Sequence, residues 1–223
     1  MNDQKNMLEP GDAATTPDTP RPAEALPAIT PIVSFRTAAF GEAREINVAS
    51  DTVRVTPVPG DDPPSAYIVE FRGIEHLVLG AGGVVTVSSD PIVCTVHFSD
   101  EYLRSTNPAL GYATARIETP LFHPNRAGGA DTGASVVCLG ASFRPGTRLR
   151  PLVFQLYRFV SSRDFATESP LDANASRYYT AHLDQVRGLR AAPLWRERVG
   201  RQTQGGNAET VQTIETEPAQ LEE

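Results

Sequence analysis

The segment Thr119-Pro-Leu-Phe-His-Pro-Asn-Arg-Ala-Gly-Gly-Ala-Asp-Thr-Gly-Ala-Ser-Val-Val-Cys-Leu-Gly-Ala-Ser-Phe-Arg-Pro145 divides two textures of the chain. Ahead of it, Tyr112 to Glu118 alternates between apolar and polar residues, as a half-buried strand does. Behind it, apolar residues recur at helical spacing. Within it, His123-Pro124-Asn125 is followed by a loop rich in Gly and Ala and then by Cys138. Strands first and helices after predict an α+β fold, with helices packed on one side of an antiparallel sheet.

Toward the N-terminus the strand signals continue. Ile92 to Phe98 and Val84 to Val87 are strand-like runs, and Cys94 lies inside the first of them. Tyr67 to Ile74 alternates cleanly. The Gly80-Ala-Gly-Gly83 loop has no Lys-Ser/Thr after it, so it is not read as a phosphate cradle. Pro57 to Pro64 has the residue types of a turn. Ile46, Val48, Val53, Val55 and Val58 are spread among polar residues, so residues 35–55 read as extended, with one or two short strands. Close spacing and short turns make this a meander. Residues 1–33 are rich in Pro, Thr, Asp and Ala; prolines up to Pro31 break any helix, and a disordered acidic tail is expected.

Toward the C-terminus, Leu149, Leu152, Val153, Leu156 and Val160 share one helical face. Thr147 is the candidate cap, and Pro151 falls in the first turn. Ser169-Pro170-Leu171-Asp172 predicts a second helix with Ser169 as its cap. A third helical stretch, broken by Pro193, is expected from Leu189 to Val199 with Trp195 in it. Residues 200–223 read as a second disordered acidic tail, leaving one domain at 34–199.

The net charge is −7, and the tails carry it. Residues 1–33 hold five acids against Lys5 and Arg21, and residues 200–223 hold five against Arg201. The neutral middle argues against a nucleic-acid partner, which needs a basic excess. Lys5 is the only lysine among 20 basic residues. A GC-rich genome accounts for that, and so does an enzyme that passes acyl groups to amines and gains from having none near its site. Cys94 and Cys138 give no disulfide framework. No run of about 20 apolar residues could span a bilayer, so a soluble cytoplasmic protein without a membrane partner is expected.

Cys138 stands in an apolar context, Val136-Val137-Cys138-Leu139, which suits either a buried structural cysteine or an accessible nucleophile. Arg126 and Arg144 are its nearest cations in the chain. A papain-type protease lacks its local signature here, and Cys138, His123 and Cys94 do not make a spaced zinc set. No cofactor or metal is expected. Cys94 reads as a small buried hydrophobe.

The order of the motifs is more specific than each alone. Pro120, Phe122-His123-Pro124-Asn125, Cys138-Leu139, Phe143-Arg144-Pro145, the Leu-rich helix and Ser169-Pro170-Leu171 with Asn-Ala-x-x-Tyr resemble the ubiquitin-conjugating enzymes over roughly residues 65–187. The resemblance implies a UBC-like fold: a four-stranded meander with helices on one side. It implies a ubiquitin-like modifier carried as a thioester on Cys138, received from an activating enzyme and passed to an amine of a substrate protein. It implies that Asn125 stabilises the oxyanion or braces the loop, that His123 supports the loop, and that Glu168 or Asp172 positions the incoming amine. The insert between Asn125 and Cys138 is longer than the family's, and the family's N-terminal helix has no evident counterpart. A member lacking that helix is expected to be of a divergent, bacterial type, of the kind linked to anti-phage defence. The alternative implied is an inactive adaptor of the same fold that binds a ubiquitin-like protein.

Overall fold

The computed structural model describes residues 30–104, 114–128, 135–140 and 143–196. The two tails, apart from residues 30–33, lie outside them.

The chain is α+β. Strands β1 (Val53–Pro57), β2 (Ala66–Phe71), β5 (Ile92–His97) and β6 (Ala115–Ile117) pair antiparallel in that order. Two short strands, β8 (Ser135–Val137) and β7 (Arg126–Ala127), extend the same sheet beyond β6. A separate hairpin is formed by β3 (His76–Leu79) and β4 (Val85–Ser88). Helices are α1 (Pro31–Ala49), α2 (Leu149–Val160), α3 (Ala173–Ala181) and α4 (Leu183–Arg187).

Alternation drives one sheet face inward. Val55, Val69, Cys94 and Ile117 stand opposite one another across four strands, and all four are buried. Cys94 therefore fills a core row, and burial pushes its thiol pKa up. Its neighbours in register on the other face, Ile68, Thr95 and Arg116, are exposed or half-buried. Helix α2 lays Leu149, Leu152, Val153, Leu156 and Val160 on the inner face, all with 0 % exposure. Each such side chain contributes about 1.5–3 kcal/mol.

Helix α1 overturns the reading of residues 35–55 as extended and of the N-terminal helix as absent. Pro31 does not break this helix but starts it, since its fixed φ suits the first turn and its missing N–H has no partner to lose there. The helix begins ahead of the boundary expected at 34. Its inner stripe is Ile32, Phe35, Ala39, Ala43 and Ile46, spaced three or four apart. Two of the five are alanines, so the apolar signal is faint although the packing is close. Asn47 then completes the edge strand: its side-chain amide accepts from the Val55 N–H and donates to the Val55 carbonyl, both at 2.7 Å. That covers part of an unpaired edge of β1. Glu42 reaches the start of α2, accepting from the Arg150 N–H at 3.0 Å and pairing with Arg148 at 2.7 Å.

Three smaller expectations also fail. Thr147 does not cap α2; its hydroxyl donates to the Arg144 carbonyl, and Glu42 serves the helix end instead. The cap of α3 is Asp172, which accepts from the Asn174 and Ala175 N–H groups, and not Ser169. Residues 189–196 form a non-helical strap, and residues 197–199 of the expected helix lie outside the described residues. Ala191 bridges to Ile74, the Ala192 N–H donates to the Gly73 carbonyl, and Tyr157 donates its hydroxyl to the Ala192 carbonyl. Gly73 has φ +70°, and a Cβ there would stand 3.2 Å from that of Ala192, so the crossing requires glycine.

Candidate functional site

The His-Pro-Asn segment sits where three units meet: the far end of the main sheet, the β3–β4 hairpin, and α2 with α3. Phe122 donates its N–H to the Leu77 carbonyl at 2.7 Å, tying the segment to the hairpin. The Pro124 carbonyl accepts from both Leu171 and Asp172 N–H groups, at 2.8 and 2.9 Å. Pro124 thereby takes up backbone donors just ahead of α3, which moves the helix start past Ser169.

His123 is buried, with its ring 3.9 Å from that of Phe159 and edge-on to Tyr179 at 5.5 Å. Its Nδ1 accepts from the Asn125 N–H at 3.1 Å, so the neutral ring carries its proton on Nε2. Burial pushes its pKa down to about 3. The ring is therefore a neutral packing and positioning group at physiological pH, not a general base.

Asn125 is 6 % exposed. Its carboxamide pairs with the backbone of Ala166 in both directions: Nδ2 donates to the Ala166 carbonyl at 3.2 Å, and Oδ1 accepts from the Ala166 N–H at 2.7 Å. This locks the segment to the loop between α2 and α3. The second Nδ2 hydrogen makes no bond among the described residues.

The residues that follow Asn125 turn back on themselves. Arg126 faces Val137 and Ala127 faces Val136 in the β7–β8 ladder. Cys138 continues that ladder, its N–H donating to the Asn125 carbonyl at 2.9 Å. The β7–β8 pairing thus returns the cysteine to the asparagine; residues 129–134 of the insert lie outside the described residues. Cys138, like Cys94, is a free thiol, but it is half-buried where Cys94 is buried. Among the described residues no side chain bonds its sulfur.

Arg126 is the cation nearest to this pair in the chain. It is half-buried and donates Nη1 to the Leu121 carbonyl at 2.7 Å, while its Nε has no partner among the described residues. Burial lowers its pKa. Arg144 is exposed in the turn before α2. Glu168 is exposed two residues beyond Ala166 and has no side-chain partner among the described residues, whereas Asp172 is occupied as the cap of α3. Tyr179 is a site residue that sequence reading missed. Its hydroxyl donates to the Phe122 carbonyl at 3.0 Å and meets that of Ser162 at 2.9 Å. Ala166 was equally invisible, since only its backbone takes part. Among the described residues no group of three His, Cys, Asp or Glu could hold a metal ion, and no helix is long and apolar enough to cross a membrane.

No protein-family model matches the chain, and no curated protein matches it.

Proposed function

We propose that the chain has a UBC-like fold and is a conjugating enzyme for a ubiquitin-like modifier, carried as a thioester on Cys138. The observation that carries this reading is the backbone bond from Cys138 to Asn125, which seats a half-buried thiol beside a braced His-Pro-Asn segment at the end of an antiparallel sheet. The N-terminal helix also supports the family resemblance. With α1 present, residues 31–49 give no reason to expect the partners of a helix-less, bacterial-type member.

In this mechanism the Cys138 thiolate attacks the thioester carbonyl that the activating enzyme holds, and that enzyme's thiol leaves. A substrate amine then attacks the new thioester. The amide forms, and Cys138 departs as a thiol after taking a proton. Each attack puts negative charge on the carbonyl oxygen. The second Nδ2 hydrogen of Asn125 is the donor for that charge, worth about 3 kcal/mol for one such group. Bracing and oxyanion support are then compatible duties of one side chain. Glu168 is the acid proposed to position the amine.

A modifier-binding adaptor without chemistry is the second reading. It is favoured by the lack, among the described residues, of any group bonded to the Cys138 sulfur that would activate it. Incubation with ATP, an activating enzyme and a ubiquitin-like protein separates the two. The enzyme reading expects an adduct that thiols reverse and that Cys138→Ser turns into a thiol-resistant ester, with Cys94→Ala unaffected. Modifier binding without any adduct supports the adaptor.

A further inference from the structure

Between the end of α2 and the α3–α4 pair lies an open cavity of about 610 Å³, within the usual range of small-molecule sites, about 300–1,000 Å³. Cys138 does not line it. Its wall has two kinds of surface. Phe165, Leu183 and Leu189 supply apolar area, and Arg163 and Arg187 supply positive charge. Those charges are not compensated. Among the described residues neither guanidinium pairs with a carboxylate; Arg163 only lies over the Tyr157 ring, 5.7 Å from its centroid. The one acid in the wall, Asp164, is held by Arg158 at 3.3 Å, and Arg158 stands outside the wall. The cavity therefore presents a net positive charge beside an apolar floor. Salt alone can screen exposed arginines, but it has no use for the apolar floor. A ligand with both an acid group and an apolar body uses both surfaces.

We propose that this cavity binds a small organic anion, its apolar body against Phe165, Leu183 and Leu189 and its carboxylate or phosphate on Arg163 and Arg187. Guanidinium groups suit either acid, since both accept paired N–H bonds.

The test is calorimetric titration of the full chain with phenyl phosphate, benzoate, inorganic phosphate and benzyl alcohol. Saturable binding of phenyl phosphate or benzoate below about 1 mM is expected. Whichever of the two binds more tightly identifies the acid group. Inorganic phosphate should bind at least about tenfold more weakly, because it leaves the apolar floor uncovered. Arg163→Gln and Arg187→Gln should each weaken binding about tenfold or more. Both side chains are exposed at the surface, so the variants should melt with the parent, which the same samples can show. Equal affinity for benzyl alcohol, undiminished affinity in both variants, or no saturable binding of either aromatic acid would overturn the proposal. The readout is binding, so a failure here leaves the thioester chemistry of Cys138 separately testable.

Discussion

The Cys138 N–H and the Asn125 carbonyl form a 2.9 Å hydrogen bond that extends the β7–β8 ladder by one step. The two residues are brought together by a hairpin rather than by adjacency in the chain. The candidate site depends on that hairpin and on the Ala166 brace behind it.

Removing the brace has a defined cost. Asn125→Ala leaves the Ala166 N–H and carbonyl without side-chain partners, and about 1–3 kcal/mol of stability should be lost in denaturant titration. Asn125→Asp keeps an acceptor for the Ala166 N–H but turns a buried carboxylate oxygen toward the Ala166 carbonyl, so it should cost at least as much. On the conjugation reading, charging of Cys138 survives in Asn125→Ala while discharge to amine slows.

The buried His123 makes stability depend on pH. It stays neutral in the fold down to about 3, while the unfolded chain binds a proton at its ordinary value of 6.5. Between those limits the unfolded state holds more protons, so stability falls as pH falls. His76, also buried and lowered by burial, acts in the same direction. His123→Phe should flatten the slope by about 1.4 kcal/mol per pH unit well below 6.5. Denaturant midpoints measured between pH 6 and about 4 report it; an unchanged slope counts against a neutral buried ring.

Glu42 ties α1 to α2. Glu42→Ala removes the acceptor for the Arg150 N–H and the Arg148 pair together. The expected loss is about 0.5–2 kcal/mol, the usual range for a lost helix cap. Glu42→Gln retains an acceptor and should lose only the charge contribution, about 0.3–1 kcal/mol.

Helix α1 is itself testable. Ala43 is 2 % exposed, so Ala43→Leu should cost about 1–3 kcal/mol through overpacking. Phe40, at 40 % exposure on the same helix, should tolerate Ser within about 0.5 kcal/mol. Equal tolerance at both positions would contradict the inward stripe.

Much of this was legible in the chain where the side chains are large. The alternation of Tyr67, Val69 and Phe71 marks β2, and the spacing of Leu149, Leu152, Leu156 and Val160 marks α2. Helix α1 escaped because Ala39 and Ala43 fill its inner stripe, while the exposed Val48 mimics a strand signal. Ser169-Pro170 is a sound local cap signal, but a contact distant in sequence, the Pro124 carbonyl, competes with it. At the site, His123, Asn125 and Cys138 could be named from the chain. Their partner Ala166 could not, because a backbone amide leaves no mark in side-chain identity. The strap at 189–196 was missed for a related reason: its bonds run through Gly73 and Ala192 backbone atoms.

The most direct test of the central claim is a peptide map of the adduct formed with ATP, activating enzyme and ubiquitin-like protein. The account predicts a modifier C-terminus joined to Cys138, released by thiol, and an oxygen ester at the same position in Cys138→Ser. An adduct mapped elsewhere, or one that persists in Cys138→Ala, would contradict it.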